Sequence, residues 1–334
     1  MLVIMDARAT PEQCEAVEQA IVSHGFRAIP VPGENRMAIC VVGNRDQVPQ
    51  QTFVHMPGVK DCIQVTRPYK LVSREVRAED SIVEVGGVAI GGSTPVIMAG
   101  PCSVETEART LAIAVAAKAA GAEVFRAGAY KPRTNPYSFQ GLGEEGLHSL
   151  SKVREETGMP VVSEIVDVND IDLMLKHVDI LQVGTRNMAN YSLLKRLGEV
   201  GCPILLKRGL SATFSEWLQA AEYLLAAGNE KVILCERGIR TYSNHSRNTL
   251  DLNVVPLARE RTHLPVVVDP SHGVGDSSRV RAMSRAAMAC GAQGLLLEVH
   301  TDPSTAYSDG QQTVDMDTLQ GILRDRETLS MLAD

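Results

Sequence analysis

PILLKRGLSATFSEWLQAAEYLLAAGNEKVILCERG, residues 203–238, places a β-rich run, a helical stretch closing on a glycine, and a second β-rich run in direct succession. A glycine at the end of a helix suits the left-handed residue that caps its last carbonyls. Each apolar run is followed at once by charge, Lys207-Arg208 after the first and Glu236-Arg237 after the second. Strand, helix, strand in this order is the repeating unit of a parallel sheet covered by helices.

The unit recurs in both directions. β-rich runs occur at PVIMAG (from 95), EVFRAG (123), PVVSEI (160), ILQVG (180), PILLKRG (203), KVILCERG (231), PVVVDPSH (265) and GLLLEVH (294). Helical stretches such as TEARTLAIAVAAKAAG and SLLKRLGEVG lie between them, again closing on glycine. Eight repeats of roughly 30 residues over about 240 predict a TIM barrel, (β/α)8. An open doubly wound sheet is the alternative, and eight even repeats favour closure. SIVEVGGVAIGG (81–92), alternating around Gly86-Gly87, predicts a hairpin just before the first barrel strand.

Residues 1–70 read differently. LVIMDA is a strand; TPEQCEAVEQAIVSHG is a helix with Thr10 as N-cap, Pro11 at its first position and Gly25 at its stop. AIPVPGENRMAICVVG (28–43) is a hairpin around Pro-Gly, followed by a short helix in DQVPQQTFVHMPG and a last strand in VKDCIQVTRP. The order βαββαβ is that of a ferredoxin-like module, α/β in class like the barrel, which serves as an amino-acid sensor or as a plain packing unit. The expected organisation is therefore 1–70 ferredoxin-like, 71–94 linker and hairpin at the barrel base, and 95–334 barrel.

Composition narrows the function classes. The 334 residues are 44% hydrophobic and 22% charged with a net charge of −7, an ordinary globular balance that argues against a nucleic-acid binder. No apolar run reaches the roughly 18 residues of a membrane span, and the first residues do not read as a signal peptide. Seven scattered cysteines without a CxxC suit a reducing cytoplasm. Clustered cations in an acidic chain point instead to a local anionic ligand.

In a TIM barrel the chemistry lies at the C-terminal ends of the strands. Those ends present Cys102, Arg126, Arg186, Lys207, Arg237, His272 and Glu298, with Asp309 in the loop beyond. Cys102, His272, Glu298 and Asp309 are a plausible set for one divalent ion, and their mixed softness suits manganese, iron, zinc or cobalt. A lone cysteine after a strand is more often a small buried hydrophobe, so it is the four together on one rim that favour a metal. RAGAYKPRTNPYSFQG (126–141) adds Lys131 and Arg133 on a stretch that Pro132 and Pro136 keep extended. Residues two apart on an extended chain face the same way, which aims both cations into one space rather than leaving a solvated loop. Six cations, Arg126, Lys131, Arg133, Arg186, Lys207 and Arg237, match about two phosphates of roughly −1.5 to −2 each plus a carboxylate.

GPCSVE (100–105), RAGAYKPRTNPYSFQGLG (126–143), LLKRG (205–209), CERG (235–238), DPSH (269–272) and EVH…SDG (298–310) together resemble the motif set of the 3-deoxy-D-arabino-heptulosonate 7-phosphate (DAHP) synthases. The N-terminal module resembles the ferredoxin-like domain carried by one branch of that family. The resemblance implies a condensation of phosphoenolpyruvate with erythrose 4-phosphate, releasing phosphate, at the head of the shikimate pathway. It implies Cys102, His272, Glu298 and Asp309 as metal ligands, with Cys102 and His272 counted among the catalytic groups. Arg126, Lys131, Arg186, Lys207 and Arg237 would bind phosphoenolpyruvate, and Arg133 with Thr134 the aldose phosphate. Lys131 is the candidate proton donor to the new alkoxide, with metal-bound water as its rival. A homotetramer, and tyrosine or phenylalanine as inhibitor, follow from the family too, although Ala28-Ile29-Pro30-Val31-Pro32 is apolar where related inhibitor sites carry polar side chains. The neighbouring 3-deoxy-D-manno-octulosonate 8-phosphate synthases, which take arabinose 5-phosphate, typically carry Asn-Arg in place of Pro132-Arg133 and lack the module. A non-catalytic sugar-phosphate sensor is the reading from another class, and would not need the full metal set.

Overall fold

A computed structural model describes residues 1–33, 36–43, 51–63, 68–133 and 135–332, and they form two compact units, Met1–Glu79 and Asp80–Asp334. The first contains β1 (Leu2–Met5), α1 (Pro11–Ser23), β2 (Arg27–Pro32), β3 (Met37–Val42), α2 (Gln51–Val54) and β4 (Val59–Ile63). Its antiparallel sheet runs β2-β3-β1-β4, the ferredoxin-like order. The Thr10 side chain accepts from Gln13 N, and the Gln13 side chain accepts from Thr10 N, so two otherwise orphaned donors are satisfied. Pro30 and Pro32 fall on β2, an edge strand, where a missing N–H costs least. Val3, Val17, Ile21, Ile39 and Phe53 close the core between helix and sheet. The remainder of the anticipated second helix and last strand, 46–50 and 64–67, lies outside the described residues.

The second unit opens with β5 (Val83–Val85) and β6 (Val88–Ile90), paired across Gly86 and Gly87. Both glycines have positive φ, 53° and 80°, which a two-residue turn matching strand twist requires. Then follow β7 (Val96–Gly100), α3 (Glu107–Ala120), β8 (Val124–Arg126), α4 (Glu144–Thr157), β9 (Val161–Ile165), α5 (Ile171–His177), β10 (Ile180–Val183), α6 (Tyr191–Gly198) and β11 (Ile204–Lys207). The series ends with α7 (Phe214–Ala226), β12 (Val232–Glu236), α8 (Val254–Arg261), β13 (Val266–Val268), α9 (Pro270–Val274), α10 (Ser277–Ala289), β14 (Gly294–Glu298) and α11 (Met316–Leu332). The strands β7 to β14 are parallel and close into a barrel, with β14 paired to β7 from Gly294↔Val96 to Glu298↔Gly100.

Every β-rich run of the sequence is one of these strands, and the anticipated barrel is the observed one. Val96, Met98, Val124, Leu205, Ile233 and Leu296 fill its interior, and Val83, Val85 and Ile90 of the hairpin join the same cluster. The hairpin lies against the strand starts, with Gly86 beside Pro160 and Gly91 beside Pro265. That end is plugged, which leaves the opposite rim for chemistry.

Candidate active site

Cys102 lies two residues past β7, Glu298 ends β14, His272 sits on α9 and Asp309 in the loop after β14. Their ligand atoms all fall within 4.8 Å of one another. Three of them are placed by their own local devices. Asp269 caps α9 and accepts from His272 N at 2.9 Å; Ser271 Oγ accepts from Glu298 N at 3.0 Å. Asp309 is left-handed at φ 54°, the one non-glycine among the described residues with positive φ. Such strain persists only where surrounding structure imposes it, and here Thr313 Oγ1 donates to the Asp309 carbonyl at 3.0 Å.

The electrostatics of the cluster follow from burial against neighbouring charge. Burial, then Glu298, pushes the Cys102 thiol up to about 12, and the thiol donates to Asp309 Oδ2 at 3.0 Å. Burial alone would raise Glu298, but His272 and Arg126 outweigh it and hold it below its usual range. Burial lowers His272 despite Asp269 and Glu298, which favours the neutral imidazole. Its Nδ1 lies 2.8 Å from Asp269 Oδ2, off the line of a hydrogen bond, and its Nε2 lies 3.3 Å from Glu298 Oε1.

A neutral imidazole, two ionised carboxylates and a thiol that a cation would deprotonate form a donor set that fits one divalent ion. The 4.8 Å span also matches ligands placed about 2.0–2.3 Å from a common centre.

A cavity of about 440 Å³ opens beside this cluster, lined by Lys131, Arg133, Arg186, Lys207 and Arg237 with His272 and Asp309. Five of the six anticipated cations therefore share one space. Arg126 lies in a small recess with Cys102, Lys131, Glu164 and Gln182, and donates through Nη1 to Glu298 Oε1 and Pro101 O. Lys131 Nζ donates to Cys102 Sγ at 2.9 Å and to Cys102 O at 3.0 Å. Burial opposes its charge, but Cys102, Glu298 and Glu164 raise its pKa, so it carries a proton. Arg133 Nη1 lies 3.8 Å from Asp309 Oδ2, and Thr134 lies outside the described residues.

Several residues of the site were not singled out from the sequence. Asp269 accepts from Lys207 Nζ at 2.6 Å; although burial pushes it the other way, His272 and Lys207 hold it well below the usual carboxylate range. Arg240, Arg247 and Glu164 also line the cavity. Glu164 fills the space where a side chain at Gly184 would begin, so glycine there keeps the carboxylate in the cavity. Glu236 takes Arg208 at 3.0 Å, and Asp251 takes the same guanidinium at 2.8 Å. The DPSH motif contained Asp269, but only the barrel shows that it faces Lys207 across an intervening strand.

Residues 63–331 match the DAHP synthetase I family, and residues 1–67 match the DAHP synthase ferredoxin-like domain. The chain is 41% identical over 330 residues to a phospho-2-dehydro-3-deoxyheptonate aldolase of Thermotoga maritima, covering 99% of this chain and 98% of that protein. A 2-dehydro-3-deoxyphosphooctonate aldolase of Syntrophotalea carbinolica is 35% identical over 262 residues, covering 73% of this chain and 94% of the other. The crystal structure of a DAHP synthase from Thermotoga maritima superposes with a TM-score of 0.79 at 40% identity, over 99% of this chain and 97% of that one. A truncated form of 3-deoxy-D-arabino-heptulosonate 7-phosphate synthase from the same organism superposes with a TM-score of 0.74 at 41% identity, over 79% of this chain and 97% of its own. Among the described residues no helix is long and apolar enough to cross a membrane.

Proposed function

The chain belongs to the DAHP synthetase I family, and from that premise we propose that it condenses phosphoenolpyruvate with D-erythrose 4-phosphate, with a divalent cation held by Cys102, His272, Glu298 and Asp309. The observation that carries this reading is one cavity lined by seven cations, five of them anticipated from the sequence, beside a four-residue donor cluster. Two anionic substrates need such a lining.

Arg186, Lys207 and Arg237 hold the phosphate and carboxylate of phosphoenolpyruvate, with Arg126 supporting from beneath. Arg133 and Thr134 take the phosphate of the aldose. Carbon 3 of phosphoenolpyruvate is a weak nucleophile, so these clamps must bring it within bonding reach of the aldehyde carbon. A bound cation would supply polarisation of the aldehyde oxygen. As the carbon–carbon bond forms, Lys131, protonated and beside the donor cluster, gives its proton to the oxygen that becomes a hydroxyl. Water then adds at carbon 2, losing a proton, and inorganic phosphate departs. Glu164, facing the same cavity, is placed to accept from that water.

The N-terminal unit is an effector domain for tyrosine or phenylalanine, and the enzyme works as a homotetramer in the cytoplasm, where its seven free cysteines stay reduced. The test is phosphate release with erythrose 4-phosphate and, separately, with arabinose 5-phosphate, each with and without added manganese. Turnover with the four-carbon aldose that depends on metal supports the assignment. Preference for arabinose 5-phosphate transfers the chain to the octulosonate chemistry of its 35% identical relative.

A further inference from the structure

Gln312 lies beneath the donor cluster, 2% exposed, on the turn that also presents Asp309; its N–H donates to the Asp309 carbonyl at 3.1 Å. Its side-chain Nε2 donates to Glu298 Oε2 at 2.5 Å, and its Oε1 accepts from Arg247 Nη1 at 2.5 Å. A carboxylate only accepts and a guanidinium only donates, so the amide has one admissible orientation. Glu298 Oε1, the other oxygen, faces Arg126 at 3.1 Å and His272 Nε2 at 3.3 Å. Arg247 Nη1 is also 3.5 Å from Asp309 Oδ1.

We propose that Gln312 is a positioning residue for the candidate metal centre, fixing the Glu298 carboxylate through the chain Arg247–Gln312–Glu298. This rests on the metal reading given above. The physical case is that Glu298, 1% exposed, needs its second oxygen hydrogen-bonded. A neutral donor does this without adding charge to the cluster. Anchored at Oε2, the carboxylate cannot rotate away from the imidazole side. Because Gln312 and Asp309 share a turn, and Arg247 reaches both, the two carboxylates keep a common spacing. Groups that hold a ligand in this way typically govern affinity by about 10–100-fold.

The test uses full-length, metal-stripped protein titrated with cobalt(II), read by its visible d–d and thiolate charge-transfer bands. Gln312→Met keeps the side-chain volume and removes both hydrogen bonds. It should weaken cobalt affinity by about 10–100-fold and shift the d–d bands, beyond what the accompanying fall in the melting temperature of the metal-free protein accounts for. Unchanged affinity and bands overturn the proposal, as does a fall in metal-free melting temperature that accounts for the lost binding. Should Gln312→Met fail to fold, Arg247→Met, at a side chain 42% exposed, unloads the same amide from its far end. It should weaken cobalt binding to a smaller extent, and no change there overturns the proposal equally. Wild-type protein that takes up no cobalt removes the metal reading itself, whereas tight wild-type binding with an indifferent Gln312→Met removes only this inference.

Discussion

Lys207 and Asp269 lie 2.6 Å apart with side chains 5% and 1% exposed, so the lysine proposed to meet phosphoenolpyruvate also neutralises a buried carboxylate. Removing one partner of a buried pair strands the other, at a cost of about 3–5 kcal/mol. Lys207→Ala should therefore raise the Michaelis constant for phosphoenolpyruvate and also lower the melting temperature. Arg133, with its side chain 22% exposed, carries no such burden. Arg133→Ala should raise the Michaelis constant for erythrose 4-phosphate by about 10–100-fold, the worth of a charge-assisted contact, and leave that for phosphoenolpyruvate nearly unchanged. Equal effects of both changes on both substrates would show the two subsites to be wrongly assigned. Cys102→Ala should lose bound metal, measured by elemental analysis, together with turnover, and a chelator should do the same to the wild type until manganese is restored. Cys102, His272 and Glu298 could be read from the sequence because each ends or closely follows an apolar strand, and Asp309 because it stands in the loop beyond the last of them. Gln312 and Asp269 could not, because their meaning is a contact: an amide beneath one carboxylate, and a carboxylate reaching across a strand to a lysine.

Among the elements, the strands were the most legible. Their apolar runs end abruptly in charge at the rim, and the intervening glycines mark the helix ends. The hairpin β5–β6 was equally plain, since two adjacent glycines between alternating residues admit few other turns. Less visible was what fixes each helix to its strand. Thr213 caps α7, accepting from Glu216 N at 3.2 Å, while Glu216 accepts from Thr213 N at 2.8 Å. One turn on, Trp217 is fully buried and donates through Nε1 to Leu206 O at 3.1 Å, tying the helix to the strand that carries Lys207. Thr213→Ala should cost about 1 kcal/mol, read as a fall in denaturation midpoint at unchanged slope. Turnover at saturating substrate should not change, because the cap lies away from the cavity lining.

For the whole molecule, every proposed catalytic residue lies in the unit Asp80–Asp334, and the matched truncated Thermotoga structure spans 79% of this chain. A protein beginning at Asp80 should therefore retain turnover. If the N-terminal unit is the effector domain, that protein should lose whatever inhibition tyrosine or phenylalanine exerts on the full chain, measured by titrating each amino acid into both. The apolar character of β2, where Ile29 precedes Pro30 and Val31 stands between Pro30 and Pro32, leads us to expect weak inhibition of the full chain. Identical inhibition of both proteins would place the effector site on the barrel, and a folded but inactive truncation would make the small unit part of the catalytic machinery.

The pairing of β14 with β7 has a consequence in time. Cys102 follows the first barrel strand to leave the ribosome, whereas Glu298 ends the last and Asp309 comes later still. A growing chain thus carries its thiol for most of synthesis with no carboxylate partners, and the donor set exists only once the seam is sewn. A cation caught by these four side chains would clasp the beginning of the barrel to its end, binding the closed form alone and favouring it by mass action. The same act that equips the site would then certify that the barrel has been finished.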